Sequence, residues 1–118
     1  MVTESENPGD KPRTTLAFDK PTMKIGPVKF GDVEEYTLEF TNTGKNDFKV
    51  FHLEGGCICT EPIDWSRGAI KPGEKGFIKF KFDSAQAKVD SAYPSSLNIY
   101  GNVPDDMIIY DIEANVTK

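Results

Sequence analysis

Both cysteines of the chain fall in one hexapeptide, Gly55-Gly56-Cys57-Ile58-Cys59-Thr60, the stretch with the clearest chemical potential. In an extended strand, residues two apart point the same way with Cα atoms roughly 6.5–7 Å apart, at or beyond the outer limit for a disulfide. A bond between Cys57 and Cys59 therefore calls for a tight turn, and a strained bond of that kind is easily reduced, which is one route to a thiol-redox role. The same pair offers two thiolates to a soft ion such as Cu(I) or Zn(II), with His52 as a third ligand. No second Cys or His pair stands at zinc-site spacing. A third reading makes the cysteines small apolar residues closing a strand end, where Gly55 and Gly56 begin a turn.

Other chemistry is sparse. His52 is the single histidine, so any nucleophile–histidine–acid arrangement must run through it, and no Gly-x-Ser-x-Gly motif is present. Glu34-Glu35 and Asp105-Asp106 are adjacent carboxylates, and neighbours on a strand face opposite ways, so spacing does not make them an acid–base pair. The chain does not read as an enzyme and calls for no cofactor. Trp65 and Arg67, after the cysteines, combine the residue types that dominate interface energetics, whereas a Trp65 covering one end of a core is the structural alternative. Phe51 and Ile109 fall on outward faces, as a partner surface would. Asp83-Ser84-Ala85 and Asp90-Ser91-Ala92 repeat a tripeptide similar to an O-glycosylation acceptor of some bacterial envelopes.

These residues need a scaffold, and 118 residues suffice for one domain with a real core. Fourteen Lys and Arg against nineteen Asp and Glu give a net charge of -5, with the cations scattered singly. Nucleic acid is excluded as a partner, since phosphate binding needs clustered cations. No apolar run approaches the ~20 residues of a membrane-spanning helix. Residues 1–13 read as a disordered polar tail or linker, of the kind that follows a removed leader or a lipid anchor.

From Thr14 onward the pattern is that of strands. Tyr36, Leu38 and Phe40 alternate with Thr37 and Glu39; Ile78, Phe80 and Phe82 with Lys79 and Lys81; Leu97 and Ile99 with Ser96 and Asn98; Ile108, Tyr110, Ile112, Ala114 and Val116 with Asp111, Glu113 and Asn115. This period of two describes half-buried antiparallel strands. Asn42–Asn46 and Lys71-Pro72-Gly73-Glu74 supply turns, the latter of type II, and the residues around Pro104 close a hairpin between the last two strands. Alternation fails within Phe48–Leu53 unless a bulge sits near Phe51 or His52. Ser84–Ala92 is compatible with a short helical turn. The expectation is an all-β fold, an immunoglobulin-like antiparallel sandwich of about seven strands over residues 14–118.

The order of motifs resembles the bacterial DUF1573 family, related to the immunoglobulin-like domains of the ASPM, SPD-2 and Hydin group. Four segments carry the likeness: Met23-Lys24-Ile25-Gly26 with Gly31; Phe40-Thr41-Asn42-Thr43-Gly44; Cys57-Ile58-Cys59-Thr60; and Ile70-Lys71-Pro72-Gly73-Glu74 leading into Gly76–Ser84. Ile58 stands where the family usually carries Gly, so this turn is made without that backbone freedom. The resemblance implies a periplasmic or cell-surface location in a Gram-negative bacterium, secreted or lipid-anchored upstream. Together these readings suggest a non-catalytic envelope interaction or structural module whose partner is another envelope protein or a glycan. Contact would be made by loops at one end, spanning Cys57 to Arg67, or by strand addition at a sheet edge. The alternative is a metal-binding or thiol-redox protein using Cys57 and Cys59.

Overall fold

The computed structural model describes residues 12–118, and residues 1–11 of the expected tail lie outside them. Eight strands form: β1 (Leu16–Phe18), β2 (Met23–Lys29), β3 (Val33–Asn42), β4 (Val50–Gly55), β5 (Thr60–Trp65), β6 (Lys75–Asp83), β7 (Asp90–Gly101) and β8 (Met107–Thr117). They make two four-stranded sheets, ordered β1-β3-β6-β5 and β2-β8-β7-β4. The expected all-β immunoglobulin-like sandwich is what the chain adopts. Among the described residues, no helix is long and apolar enough to cross a membrane.

Alternation explains the core. Leu38 and Phe40 on β3, Ile78, Phe80 and Phe82 on β6, and Leu97 and Ile99 on β7 are all buried, while their sequence neighbours face outward or lie at intermediate depth. Phe48 meets Phe40 edge-on, with ring centroids 5.6 Å apart. Each fully buried side chain of this size contributes about 1.5–3 kcal/mol by leaving water. The hairpin of β7 and β8 forms as expected, Leu97 opposite Tyr110. The bulge also appears: the β4–β7 register passes from Val50↔Gly101 to His52↔Tyr100 and skips Phe51. In the Lys71–Glu74 turn, Gly73 has φ +85, the left-handed value that position three of a type II turn requires. The helical turn is confined to Ser84–Gln86, capped by the Asp83 carboxylate accepting from the Ala85 N–H.

One expectation is corrected. The sandwich is not antiparallel throughout, because β2 pairs parallel to β8, Met23 opposite Ile112 and Lys29 opposite Thr117. β1 pairs antiparallel with β3 and so runs toward the end where β3 begins. The chain keeps that direction as it crosses to the other sheet, and β8 runs the same way, so β2 can add to β8 only in parallel. The count of eight strands against seven has the same origin, since one run is divided between two sheets.

The two ends of the sandwich are built differently. At the end carrying the 43–49 and 102–106 loops, two fully buried asparagines bind the loops together. Asn42 donates to the carbonyls of Asn46 (2.8 Å) and Ile70 (2.9 Å) and accepts from Thr14 Oγ1 (2.6 Å). Asn102 donates to the carbonyls of Pro12 (2.8 Å) and Asp47 (2.7 Å) and accepts from the Lys49 N–H (3.0 Å). Pro12 and Arg13, assigned to the polar tail by composition, are thus fixed here, Arg13 also pairing with Asp106. At the opposite end lie the β2–β3 loop, the β4–β5 cysteine turn and the β6–β7 connection.

Candidate functional site

The cysteine turn is held by backbone before any sulfur chemistry is considered. Gly56 N–H donates to Ser96 O (2.8 Å), Thr60 N–H to Cys57 O (3.2 Å), and Asp83 N–H to Cys59 O (2.7 Å). These bonds draw the segment against β6 and β7. Glycine is required at its start by close approach: a Cβ on Gly55 would strike the Thr60 carbonyl, and one on Gly56 the Ser96 side chain. Ile58 needs no left-handed conformation, since the non-glycine residues at positive φ among the described residues are Asp105 and Asp106. That is how the turn closes with Ile where the family usually has Gly.

Tightening the turn brings the two Cα atoms to 5.2 Å, inside the ordinary span of a disulfide, and Cys57 and Cys59 are bonded. Neither sulfur is then available as a thiolate ligand. Cys59 is buried at 1 % exposure, whereas Cys57 is half-buried and reachable from solvent. Between them Ile58 stands 80 % exposed at the apex. Two hydroxyls lie beneath the bond. Ser95 Oγ is 3.4 Å from Cys57 Sγ, Thr60 Oγ1 is 3.7 Å from Cys59 Sγ, and the two oxygens are 2.6 Å apart. Sequence reading missed Ser95, because only the register of β7 against β4, Leu97 opposite Gly55, brings it beside the turn that follows β4.

His52 is not at this site. It lies on the outward face of β4, with Nε2 3.8 Å from the Glu54 carboxylate and its ring 5.4 Å from that of Tyr100, whose phenol is pushed up chiefly by a hydrogen bond to Glu54. Among the described residues no group of three or more His, Cys, Asp or Glu is placed to hold a metal ion. The third ligand expected of His52 is therefore absent from the cysteine turn.

Trp65 and Arg67 are also elsewhere. β5 begins at Thr60, beside the cysteines, and carries Trp65 at its other end, about 17 Å along the strand. The single contact rim expected from Cys57 to Arg67 is divided between two regions. Trp65 packs partly buried against the core, and the Arg67 guanidinium stacks 3.7 Å from its ring centroid, with Nε donating to Trp65 O (3.1 Å). The indole is thus partly buried, in contact with the core and with the Arg67 guanidinium over its ring.

Of the five large apolar side chains exposed among the described residues, four gather at the cysteine end: Phe30, Val33, Ile58 and Val89. Strand register sets Phe30, Val33 and Val89 at strand ends on that side, since Lys29 is opposite Thr117, Val33 opposite Asp83 and Asp90 opposite Val116, and Ile58 stands at the apex of the cysteine turn. The fifth, Ile109, lies away from that end, on β8, its cross-strand row continuing through Asn98 to Glu54. Of the repeated tripeptides, Ser84 is fully buried, its hydroxyl accepting from Gly31 N–H (2.7 Å) and facing the Asp32 carbonyl (2.7 Å). It cannot accept a glycan in the folded protein. Ser91 is exposed.

Comparison with known proteins gives a consistent picture. The family model described as "Protein of unknown function (DUF1573)" matches residues 16–116. No curated protein matches. Among solved structures, a protein of unknown function from Porphyromonas gingivalis W83 superposes with TM-score 0.70 at 15 % identity over 88 % of this chain and 47 % of that one. The secreted serine protease VesC from Vibrio cholerae superposes with TM-score 0.68 at 15 % identity over 86 % of this chain and 23 % of the protease. The chain thus spans about half and about a quarter of those two proteins. The ASH/PapD-like domain 7 of human CEP192 superposes with TM-score 0.61 at 13 % identity, covering 100 % of this chain and 94 % of that domain. These likenesses are of fold.

Proposed function

The chain belongs to the DUF1573 family, and from that membership and the geometry of the cysteine end we propose that it is a non-catalytic interaction or structural module of the bacterial cell envelope. The observation that carries the proposal is the placement of Phe30, Val33, Ile58 and Val89, four of the five large apolar side chains exposed among the described residues, at one end of the sandwich. Exposed apolar side chains in one place favour burial against a partner. The partner is another envelope protein, or a glycan stacked on Phe30, and not nucleic acid. A periplasmic or cell-surface location in a Gram-negative bacterium, with a lipid anchor upstream, fits a disulfide, which persists in oxidising compartments. Similarity to part of a secreted protease supports the same side of the membrane.

The test is site-specific photocrosslinking in intact cells. A crosslinker at Ile58 is expected to capture a defined partner that Phe30→Ser with Val89→Ser removes. Equal capture from a crosslinker at Ile109 overturns the proposal. The bonded sulfurs favour one second reading, thiol-redox chemistry at the same turn, over the metal-binding one.

A further inference from the structure

We propose that the Cys57–Cys59 bond is a thiol–disulfide exchange site that an incoming thiol enters at Cys57, with Cys59 as the sulfur set free. The inference rests on the thiol-redox reading and deepens it by naming the entry sulfur, the leaving sulfur, the groups that receive its charge and the class of co-reactant. Three observations carry it. First, the backbone bonds from Gly56, Thr60 and Asp83 already fix the turn, and the disulfide joins residues only two apart, so the bond adds little as a staple. Second, the sulfurs differ in access, Cys59 being buried and Cys57 reachable. Exchange requires an attacking thiolate to reach one sulfur, so attack falls on Cys57.

Third, Ser95 and Thr60 form a hydroxyl pair under the bond. One of their two hydrogens lies between the oxygens, which leaves the other free for a sulfur. When Ser95 donates to Thr60, the Thr60 hydrogen points to Cys59 at 3.7 Å; when Thr60 donates to Ser95, the Ser95 hydrogen points to Cys57 at 3.4 Å. The pair therefore stabilises negative charge at whichever sulfur is released.

The step balances with a thiol as the named co-reactant. Its thiolate bonds to Cys57 Sγ as the Cys57–Cys59 bond breaks, and the electron pair passes to Cys59 Sγ, hydrogen-bonded by Thr60. A second thiolate then attacks the co-reactant's sulfur in the mixed disulfide and releases Cys57. Two thiols leave as one disulfide, and the protein holds two electrons and two protons as Cys57 and Cys59 thiols. With Ile58 exposed beside the entry sulfur, the thiol belongs to a protein segment with apolar flanks or to a small molecule.

The full chain is exposed in native buffer to reduced glutathione and, separately, to a short synthetic peptide with one cysteine between leucines. Both are expected to open the bond, and faster reaction with the peptide assigns the physiological thiol to a protein, equal rates to a small molecule. Single-cysteine variants are then treated with oxidised glutathione: Cys57 in C59S is labelled in the folded protein and Cys59 in C57S is not. Thr60→Val, which keeps both cysteines and the side-chain shape, is expected to slow opening about tenfold, the worth of one charge-assisted hydrogen bond, and to shift the pH–rate profile for release of Cys59 upward. A bond that no thiol opens without denaturant overturns both the inference and the thiol reading. Exchange that labels Cys59 as readily as Cys57, or is indifferent to Thr60→Val, overturns the inference alone.

Discussion

At Asn102, one fully buried amide side chain satisfies two carbonyls and one N–H from two segments, the chain at Pro12 and the Asp47–Lys49 loop. Asn102→Ala removes the buried amide that ties the two segments together, so a loss of about 1–2 kcal/mol is expected, read as a shift in the urea midpoint. From the sequence, Asn42 and Asn102 are turn residues, and nothing in their type or spacing distinguishes a solvated turn from a buried one. Tyr36 makes a different point. Burial first, then its hydrogen bond to the Glu34 carboxylate, pushes its phenol up to about 12. An unfolded tyrosine ionises near pH ~10, so above that pH the unfolded chain binds fewer protons than the folded one, and stability falls as pH rises. The contribution is intact below pH ~10 and is lost toward the folded value. Denaturation midpoints measured across that interval should decline, and Tyr36→Phe should make the decline shallower. Tyr110, raised by burial and by Asp19, supplies part of the slope that remains.

At the level of elements, the turn from Gly55 to Thr60 depends more on close packing than on its covalent link. Gly55→Ala forces a methyl group into the Thr60 carbonyl, and a cost of about 1–3 kcal/mol is expected, with slower formation of the disulfide after reduction. Reduction itself should cost less, roughly 1–2 kcal/mol, because closing a loop between residues two apart removes little freedom from the unfolded chain. Thermal melts with and without reductant check the ordering of the two effects. Strand positions were legible in the sequence because period-two alternation is a local signal, and the bulge at Phe51 was legible because it repairs a local break in that alternation. The parallel pairing of β2 with β8 was not, since it is fixed by the path of a run shared between two sheets. For the same reason Ser95 could not be linked to Cys57 at a separation of 38 residues.

For the whole molecule, the division between ends decides what is structural and what is free for contact. Exposed apolar groups that contribute to binding need not contribute to folding. The combined substitution Phe30→Ser, Val33→Ser and Val89→Ser is expected to change unfolding free energy by about 0.5 kcal/mol or less per site. The same variant should lower binding of an apolar dye to the native protein, which a fluorescence titration measures directly. Trp65 and Arg67, singled out together with the cysteines by sequence proximity, belong to another region, because a strand carries neighbours in sequence away from one another in space.

The passage from β1 to β2 has a mechanical consequence. Residues 1–11 join the fold at Pro12, beside Asn102, while β1 and β2 run away from that point toward the cysteine end. Tension applied through the N-terminal segment acts along two strands, each bonded sideways to a different sheet, and so loads the ladders of both layers in shear instead of unzipping one edge. Pro12 and the Cys57–Cys59 turn thus lie at opposite poles of the sandwich, and load entering at one reaches the other through both sheets.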